Sequence, residues 1–392
     1  MCESGSAFGK AYFEARFAVD IFKTAAGECR RIFGELQQQI PGEISMMRRL
    51  PLGVVAGIAP FNFPLILALK KVAFAIAAGN TFILKPASAT PVSGVMIAKA
   101  LDAAGLPAGV FNLVPGSGDV VGNRLIEDKR VKMIAFTGST EVGRNIAAKA
   151  STLFKKYSLE MGGKNPLILL KDFDVEQAIK IAGFGAFFHQ GQICMCTSRI
   201  IVEEPIYNEF CEKFTAYTKT MKVGDPHQKD TIIGPLIKKE QCEHIDSQIK
   251  DAIEKGAILM TGGTHEGNYY QPTVLKDVTP DMRIFYEESF GPVTSIIKAK
   301  SPEDAVRLCN DNEYGLSSSL LTNDLSKAME LSLLIEAGMV HINNATVADN
   351  STVAFGGIKN SGVGREGGTY SIEEFTELKW ITVQYKQAAL PF

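Results

Sequence analysis

Apolar residues recur at helical spacing near the start of the chain. Within residues 10–35 they fall on one face of a helix, at Phe13, Phe17, Ile21 and Phe22. Such a face is the part of a helix that is buried against the rest of a fold. Because glycine is common just beyond a helix end, we expect this helix to end near Gly34. The chain is therefore predicted to open with one long helix.

From Leu52 onward, short apolar runs bounded by Gly, Pro or Asn alternate with helical stretches. In the first half, these runs predict strands at Leu52–Ala59, Thr81–Leu84, Val110–Val114 and Lys132–Phe136. A second series, from Asn165 to about Gly368, predicts strands at Pro166–Leu170, Arg199–Val202 and Met339–Asn343. Helices are expected near residues 206–221, 238–255 and 325–336. Alternating strands and helices are typical of parallel βαβ units, so we predict an α/β fold.

The most apolar stretch, Leu52–Leu69, carries no charged residue and is long enough to raise the alternative of a membrane span. Two prolines and Asn62 interrupt its middle, and Lys70 and Lys71 follow at once. Proline is tolerated in the first turn of a helix but not in its interior. We therefore interpret the stretch as a buried strand, a turn and a helix that starts near Pro64.

The composition of the chain argues against some classes of binding partner. The 392 residues are 46% hydrophobic and 21% charged, with a formal net charge of -2, which gives no basic surface for nucleic acid or an anionic membrane. A small-molecule partner is expected instead. Seven cysteines form an odd, scattered set that suits free thiols in a reducing compartment, and the first residues lack the pattern of a signal peptide. We expect a cytoplasmic protein.

The carboxyl-terminal tail, residues 376–392, has the pattern of an exposed strand, with apolar side chains at Trp380, Ile381, Val383 and Tyr385. A protein normally pairs or covers such an edge. Pairing between copies of the chain would cover it. The alternative is that the strand folds back on its own sheet.

Cys194 lies in an apolar segment, where a cysteine is usually a small core residue. Its spacing to Cys196 is too short for the usual zinc pair, and no second pair accompanies it, so no metal site is expected. The other interpretation is a nucleophile. A cysteine that attacks an aldehyde needs a donor for the oxyanion and, for hydrolysis of the resulting thioester, a base for water.

Candidates for both roles occur elsewhere in the chain. Asn62 lies in a predicted tight turn, where its amide can point into a cleft, although a helix cap is the alternative. Glu160 ends an apolar strand just before two glycines, where a lone carboxyl would be partly buried and its pKa raised. The alternative for Glu160 is a surface carboxylate.

Signals for phosphate binding are weaker. Residues Gly116–Gly122 nearly match the fingerprint, the glycine-rich sequence pattern of dinucleotide-binding sites, but their third glycine lies one position too far along the chain. Residues Phe136–Gly143 follow a predicted strand and open a helix, so their backbone N–H groups can meet a pyrophosphate. Lys85, at the end of a strand, can reach a ribose hydroxyl or a phosphate; a solvated strand end is the alternative.

Together these segments resemble the aldehyde dehydrogenase superfamily from about residue 3 to the carboxyl terminus. The motifs that carry the resemblance occur in the family's order: Pro60–Pro64, Gly79–Pro86, Phe136–Gly143, Leu159–Gly163, Gly191–Cys194, Glu288–Pro292 and Phe355–Gly357. The resemblance implies a Rossmann-like cofactor domain (residues 1–30 and 52–163) that lacks the usual glycine fingerprint. It further implies an α/β catalytic domain (residues 164–370) and a small β oligomerisation element (residues 31–51 and 376–392).

The resemblance also implies roles for individual residues. Cys194 looks like the nucleophile, Asn62 with the Cys194 backbone N–H looks like the oxyanion hole, and Glu160 matches the general base. Lys71 and Glu366 occupy positions similar to the family's accessory proton-relay residues. On the cofactor side, Lys85 and Glu288 look like ribose contacts, Gly138 and Ser139 like pyrophosphate contacts, and Phe290 like a residue packed near the nicotinamide. The implied activity is oxidation of an aldehyde to its acid by NAD or NADP, through a thioester on Cys194.

The wording of the motifs is similar to that of benzaldehyde, salicylaldehyde and vanillin dehydrogenases, so an aromatic aldehyde is the expected substrate and a semialdehyde or aliphatic aldehyde the alternative. Phe61 and Phe188 are predicted to line the substrate pocket. Family members that prefer NAD often carry glutamate three residues after the position of Lys85; Ser88 stands there instead and would not repel the 2′-phosphate of NADP.

Family members are usually homodimers or homotetramers, and their chains extend roughly 90 residues further upstream than this one. We therefore expect a cofactor domain that is shortened at its amino terminus. The competing hypotheses are a protein that keeps the fold but serves as an assembly partner or pseudo-enzyme, and a thiol-dependent ester hydrolase that needs no dinucleotide.

Overall fold

The structure, a computed structural model, describes residues 1–37 and 41–387, and a six-stranded sheet forms the centre of their first half. Five of its strands are parallel, and the sixth, Gly362–Val363, joins one edge antiparallel from far along the chain. The strand order is Gly362–Val363, Lys156–Glu160, Val131–Thr137, Val54–Ile58, Thr81–Lys85 and Phe111–Leu113. The four strands predicted for this half are all present within a few residues of the expected bounds.

A seven-stranded sheet lies in the second half of the described chain. Its order is Ile258–Thr261, Thr273–Lys276, Val293–Ala299, Thr197–Glu203, Asn165–Leu169, Ser317–Leu321 and Met339–Ile342. All neighbouring pairs are parallel except the first. Three adjacent interior strands, Thr197–Glu203, Asn165–Leu169 and Ser317–Leu321, are buried at every residue, because a parallel sheet is covered by helices on both faces.

A three-stranded antiparallel sheet contains Glu35–Gln37, Glu43–Pro51 and the tail strand Thr376–Gln384. The tail strand thus pairs within its own chain, which is the alternative considered for it. It still forms an edge of this sheet, and Leu378, Trp380 and Val383 on it are exposed. Residues 38–40 and 388–392 of the predicted oligomerisation element lie outside the described residues.

Helices connect and cover these sheets. Those in the described chain are Phe8–Glu28, Ile66–Ala77, Pro91–Ala103, Asn123–Glu127, Thr140–Thr152, Val175–Phe187, Tyr207–Thr218, Lys239–Glu254, Arg283–Tyr286, Pro302–Asn310, Leu325–Ser332 and Gly368–Glu374. Two short strand pairs, His265–Glu266 with Tyr269–Tyr270 and Tyr314–Gly315 with Ile358–Lys359, and the short helical turns Gly118–Gly122, Phe188–Gly191 and Glu204–Ile206 complete the elements of the described chain. The predicted α/β fold is confirmed. Within the described residues, no helix is both long and apolar enough to cross a membrane.

The first helix ends earlier than predicted, at Glu28 rather than near Gly34. Gly34 instead leads into the strand Glu35–Gln37, where its Cα lies so close to the Met47 carbonyl that a side chain would clash. The glycine therefore marks a close approach of two strands, and the prediction of one helix up to Gly34 is wrong. The last turn predicted for residues 325–336 is also absent, since that helix ends at Ser332.

The stretch Leu52–Leu69 folds as a strand, a turn and the start of the helix Ile66–Ala77, as predicted. This helix has no side-chain cap of its own. The buried carboxylate of Glu14, on the first helix, accepts hydrogen bonds from the Leu65 and Ile66 N–H groups at 2.8 and 3.2 Å. A carboxylate there satisfies free donors and meets the positive end of the helix dipole. The first helix thereby fixes the turn that carries Asn62.

Candidate active site

Several predicted site residues lie just beyond the carboxyl ends of parallel strands in the six-stranded sheet. Asn62 follows Val54–Ile58, Gly138 comes directly after the strand Val131–Thr137, and Glu160 ends its neighbour. Strands paired in parallel present these ends at the same edge of the sheet. In open α/β sheets this edge is where ligands bind.

Cys194 reaches that edge from the other sheet, on a loop between the helix Val175–Phe187 and the strand Thr197–Glu203. Three successive residues of the loop, His189, Gln190 and Gly191, have positive φ angles of 50°, 57° and 69°. Such a run is costly for residues other than glycine and persists only where surrounding contacts hold it. The Gln190 amide supplies two of those contacts, donating to the Gly5 and Pro235 carbonyls at 2.9 and 3.1 Å.

The backbone around Cys194 is held by the buried side chain of Asn165. Its amide nitrogen donates to the Cys194 carbonyl at 2.7 Å and to the Cys196 carbonyl at 3.0 Å. Its amide oxygen accepts from the Ser317 N–H at 3.1 Å. Asn165 begins a central strand of the seven-stranded sheet, so the position of Cys194 is tied to a rigid element.

Two cavities of similar size meet at Cys194. One, of about 500 Å³, is walled mostly by apolar side chains, including Phe13, Phe63, Leu67, Phe184, Phe188, Ile193, Val347 and Phe355. The other, of about 490 Å³, is more polar and lies along the edge of the six-stranded sheet; its wall includes Asn62, Thr137, Gly138, Ser139, Glu288 and Phe290. Among the described residues forming these two walls, Cys194 is the one they share.

The two phenylalanines predicted for the substrate pocket lie in different cavities. Phe188 lines the apolar cavity, where its ring packs on Phe184 with centroids 5.0 Å apart. Phe61 lines the polar cavity, where its ring meets Phe290 edge-on at 5.7 Å. The structure therefore does not place Phe61 with Phe188, because the turn after Val54–Ile58 directs it toward the sheet edge. Phe63, two residues on, lines the apolar cavity instead.

Asn62 is buried beside Cys194. Its amide nitrogen donates to the Gln192 carbonyl at 3.0 Å, which brings the amide to the loop that carries the thiol. The backbone carbonyl of Asn62 accepts a hydrogen bond from the Lys10 ammonium at 2.7 Å. Lys10 is buried and paired with Glu14 at 2.6 Å. The Asn62 turn is thus held from both sides, and its side chain lines the polar cavity.

The Glu160 carboxyl is buried, and neither oxygen has a hydrogen-bond partner within the part of the chain that the structure describes. Burial raises the pKa of Glu160 well above its usual value, and the charge of Glu366 raises it further, while Lys71 opposes both effects. A carboxyl with a raised pKa is suited to exchange a proton near neutral pH. The predicted burial of Glu160 is confirmed.

Lys71 and Glu366 are brought together by the fold, although 295 positions separate them. The Lys71 ammonium donates to the Glu366 carboxylate at 2.5 Å and to the Thr137 hydroxyl at 2.6 Å. Both side chains of the pair are buried. Glu366 is fixed by two backbone hydrogen bonds to Phe355, which lines the apolar cavity. The pair lies close enough to Glu160 for both charges to affect its pKa.

Burial strongly raises the pKa of the Cys194 thiol, and the nearby carboxylates of Glu160, Glu288 and Asp349 add to the rise. The Met195 backbone N–H acts in the opposite direction. These effects favour the protonated thiol over the thiolate. Formation of a reactive thiolate would require a base to take its proton, and the Glu160 and Glu288 carboxyl groups are the acceptors at hand, since Asp349 is paired with Lys70.

Four of the six predicted cofactor contacts line the polar cavity: Gly138, Ser139, Glu288 and Phe290. Ser139 caps the helix Thr140–Thr152, whose amino-terminal end opens toward this cavity. Burial raises the pKa of Glu288 to about 7, and the Gly163 N–H donates to its carboxylate at 3.2 Å. A side chain at position 162 would clash with that carboxylate, so Gly162 makes its approach possible.

The other two predicted cofactor contacts lie beyond the described wall of this cavity. The Lys85 ammonium is buried and donates to the Pro86 carbonyl at 2.9 Å. Ser88 is exposed, and its hydroxyl donates to the Gly116 carbonyl at 3.3 Å. Residues Gly118–Gly122 of the near-fingerprint form a single short turn.

Two features near the site were not predicted from the sequence. Lys164 is buried beside the Ser289 hydroxyl at 3.3 Å, and burial lowers its pKa to about 7. Lys70 is buried and paired with Asp349, whose side chain lines the apolar cavity. The position of Lys70 at the end of a long apolar stretch is a signal of burial, but nothing in the sequence identifies a partner so far along the chain.

The chain matches a known protein family over most of its length. The model of the aldehyde dehydrogenase family matches residues 1–381. The chain belongs to the aldehyde dehydrogenase family. The resemblance of its motifs to that family is thereby confirmed.

Among curated relatives, the chain is 43% identical to benzaldehyde dehydrogenase YfmT of Bacillus subtilis, covering 100% of this chain and 81% of the relative. It is 41% identical to a salicylaldehyde dehydrogenase of Pseudomonas putida, covering 100% and 82%. It is also 42% identical to a vanillin dehydrogenase of Amycolatopsis, covering 100% and 81%. These are the aromatic aldehyde dehydrogenases that the residues of the sequence motifs indicated.

Solved structures share the fold at high similarity. A salicylaldehyde dehydrogenase from Pseudomonas putida in complex with salicylaldehyde is 40% identical with a TM-score of 0.97, covering 100% of this chain and 82% of that one. A betaine aldehyde dehydrogenase from Staphylococcus aureus in complex with NAD⁺ is 32% identical with a TM-score of 0.97, covering 100% and 79%. A glyceraldehyde-3-phosphate dehydrogenase from Methanocaldococcus jannaschii in complex with NADP is 37% identical with a TM-score of 0.93, covering 97% and 83%.

Proposed function

We propose that this chain oxidises an aromatic aldehyde to the carboxylic acid, with NAD or NADP as the hydride acceptor. The observation that carries the proposal is the position of Cys194 in the walls of two cavities, one apolar and one polar. An aldehyde in the apolar cavity and a nicotinamide in the polar cavity would both reach the same sulfur atom. This is the arrangement that a cysteine-dependent dehydrogenase requires.

The first step is transfer of the Cys194 proton to a carboxylate beside it, followed by attack of the resulting thiolate on the aldehyde carbon. The negative charge that develops on the carbonyl oxygen is stabilised by the Asn62 amide and by the Cys194 backbone N–H. A nicotinamide bound in the polar cavity, held by the residues of its wall, would supply the acceptor for the hydride that leaves this carbon. A thioester then links the acyl group to Cys194. Water attacks the thioester while Glu160 takes its proton; the carbon–sulfur bond breaks, the acid is released, and the Cys194 thiolate takes up a proton to restore the thiol.

The remaining residues have supporting roles in this proposal. Lys71 and Glu366 move or hold the proton that Glu160 receives, because both are near it and hydrogen-bonded to each other. Glu288 binds a ribose hydroxyl, and Ser139 with Gly138 meets the pyrophosphate at the positive end of a helix. Lys85 would contact the ribose after its side chain turns away from the Pro86 carbonyl, and Phe290 packs near the nicotinamide.

The aromatic class of substrate is supported by the rings of Phe13, Phe63, Phe188 and Phe355 in the apolar wall. The names of three similar enzymes, a benzaldehyde, a salicylaldehyde and a vanillin dehydrogenase, point to the same class. Either NAD or NADP is proposed as the cofactor, because related structures contain NAD⁺ or NADP. In addition, Ser88 adds no negative charge beside a 2′-phosphate.

We also propose the domain boundaries implied by the family. Residues 1–30 and 52–163 would bind the cofactor, residues 164–370 would carry Cys194, and the three-stranded sheet would join copies of the chain into a homodimer or homotetramer. The exposed Leu378, Trp380 and Val383 at the edge of that sheet support the last point. The free thiols of the described cysteines fit a reducing compartment such as the cytoplasm.

The test is the formation of reduced cofactor with benzaldehyde and with NAD or NADP, compared among the wild type, Cys194→Ala and Glu160→Gln. The alanine variant should form none. The glutamine variant, which keeps the size of the side chain, should form about one equivalent per site in a rapid burst and then turn over about 10²–10⁴-fold more slowly. Equal rates in the wild type and Cys194→Ala would refute the proposal.

Two further outcomes favour the competing hypotheses. Turnover of an aryl ester without a cofactor, together with no dehydrogenase activity, would identify a thiol-dependent hydrolase. Absence of both activities, with no rise in melting temperature on addition of NAD or NADP, would indicate a pseudo-enzyme, because a bound cofactor must stabilise the folded state.

A further inference from the structure

A buried ion pair forms part of the wall of the apolar cavity. The Lys70 ammonium contacts both oxygens of the Asp349 carboxylate, at 2.7 and 2.6 Å. The Lys70 side chain is fully buried, whereas the Asp349 side chain is 10% exposed and lines the cavity. The only access to the pair from the cavity is therefore through Asp349, as far as the described residues show.

Aromatic rings flank the Lys70 ammonium, and the Glu366 carboxylate is close enough to Asp349 to add to the rise of its pKa. The Lys70 ammonium lies 4.0 Å from the centre of the Phe355 ring and 6.0 Å from that of Phe17. Removing two charges from water is costly, and apolar residues of similar volume in such a place are often as stable or more so. Stability alone therefore gives no reason for an ion pair at this point of an otherwise apolar wall.

The pair offers the cavity a hydrogen-bond acceptor and no donor. Each carboxylate oxygen has two lone pairs, and Lys70 uses one on each, which leaves capacity for a further donor. Lys70 itself is behind the carboxylate and cannot reach the cavity. The other polar side chains in this wall are Cys194 and Asn344; the amide oxygen of Asn344 accepts from the Ala345 N–H at 2.8 Å, and that residue is exposed.

We propose that Asp349, held by Lys70, accepts a hydrogen bond from a hydroxyl group on the aromatic ring of the substrate, so that the preferred substrates are hydroxylated aryl aldehydes. This inference rests on the proposed function. Both Asp349 and Cys194 line the same cavity, so one ring can present its aldehyde to the thiol and its hydroxyl to the carboxylate. The pocket then discriminates by polarity, since a methyl group of similar size would leave the carboxylate without the hydrogen bond.

The same acceptor disfavours one alternative class of substrate. A semialdehyde carries a carboxylate at the end opposite its aldehyde, and this negative charge would be brought against Asp349 in an apolar cavity. The positive charge of Lys70 is already paired and lies on the far side of Asp349. Like charges at short distance in such surroundings repel strongly.

The experiment compares kcat/KM for pairs of hydroxy- and methyl-substituted benzaldehydes, with the substituent at the ortho, meta or para position. The wild type should favour the hydroxy member at one position or more by at least about 10-fold, the size expected for a hydrogen bond to a charged acceptor. In the double variant Lys70→Met with Asp349→Leu, which replaces the pair by apolar residues, that preference should disappear while the methyl members are still oxidised.

Two more variants separate recognition from a structural role. Asp349→Asn keeps the shape and a neutral acceptor, so a smaller preference should survive in it. Phe184→Leu changes an apolar part of the same wall and should affect the hydroxy and methyl members equally. Thermal melts establish that each variant is folded.

The outcomes distinguish this inference from the proposal on which it rests. A wild type that oxidises no benzaldehyde refutes both. A wild type that oxidises benzaldehyde but shows no hydroxyl preference at any position overturns the role of Asp349 alone. An equal loss for both members of each pair in the double variant also overturns it, because that result is expected of a pair that only maintains the fold.

Discussion

The charges of Lys71 and Glu366 act in opposite directions on Glu160, which gives a prediction with a defined sign. Burial and the Glu366 carboxylate raise the pKa of Glu160, whereas the Lys71 ammonium lowers it. Glu160 must be deprotonated to take a proton from water. The rate of thioester hydrolysis should therefore increase with pH, with a midpoint that follows the pKa of Glu160.

Removing either charge should move this midpoint. In Glu366→Gln the positive charge of Lys71 remains unopposed, so the pKa of Glu160 falls and the midpoint moves to lower pH. In Lys71→Met the negative charge of Glu366 remains, and the midpoint moves to higher pH. A charge within about 4–6 Å changes a carboxyl pKa by about 1–3. We expect a displacement of about one pH unit in each direction, equivalent to about 1.4 kcal/mol.

The assay is the pH dependence of the slow phase that follows the burst of reduced cofactor, since that phase reports hydrolysis. Each single variant leaves a buried charge without its partner, which costs about 3–5 kcal/mol of stability, so melts must accompany the kinetics. The double variant, Lys71→Met with Glu366→Gln, removes both charges and should return the midpoint toward that of the wild type. Displacement of both single variants in the same direction, with folding intact, would refute the reasoning.

Three further predictions test other parts of the site. Gly191→Ala should destabilise the protein and abolish activity, because this position has a φ of 69° and a side chain would clash with the Gly291 carbonyl; a chemical denaturation curve checks the first effect. Ser88→Glu should raise KM for NADP at least about 10-fold relative to NAD, since its charge would oppose a 2′-phosphate; steady-state kinetics with both cofactors measure the ratio. Burial lowers the pKa of Lys164 to about 7 from 10.5, so the folded protein binds fewer protons than the unfolded chain between these values and gains stability as pH rises. The unfolding free energy of Lys164→Met should lack this gain, and denaturation across that pH range tests it.

Much of the fold was predictable because strand and helix periodicities are local. The runs that form Val54–Ile58, Thr81–Lys85 and Val131–Thr137 are bounded by Gly, Pro or Asn, and those residues mark the ends of strands in the structure as well. The error at Gly34 has a physical cause. Glycine follows a helix end, but it is also required where two backbones approach closely, and only the partner strand distinguishes the two cases.

The site was predictable to the extent that its residues lie at strand ends or in recognisable motifs. Asn62, Glu160 and the Phe136–Gly143 segment met both conditions, and the structure brings them to one edge of a sheet with Cys194. The direction of a side chain within a turn is not a local property. Phe61 and Phe63 are two residues apart, yet they line different cavities, and no pattern in the sequence distinguishes them.

The partners of the two buried lysines, Lys70 and Lys71, are the clearest example of a feature that the sequence does not predict and the structure shows. Lys70 and Lys71 are neighbours on one helix, and successive helical positions point in directions about 100° apart. Lys71 therefore meets Glu366 beside Glu160, the proposed general base, whereas Lys70 meets Asp349 in the wall of the apolar cavity. In the sequence the two lysines look alike, as the first charges after a long apolar stretch. The proposed division of labour between them, proton transfer for one and recognition of the substrate for the other, follows from the helix that separates them and from the acidic partner that each one contacts.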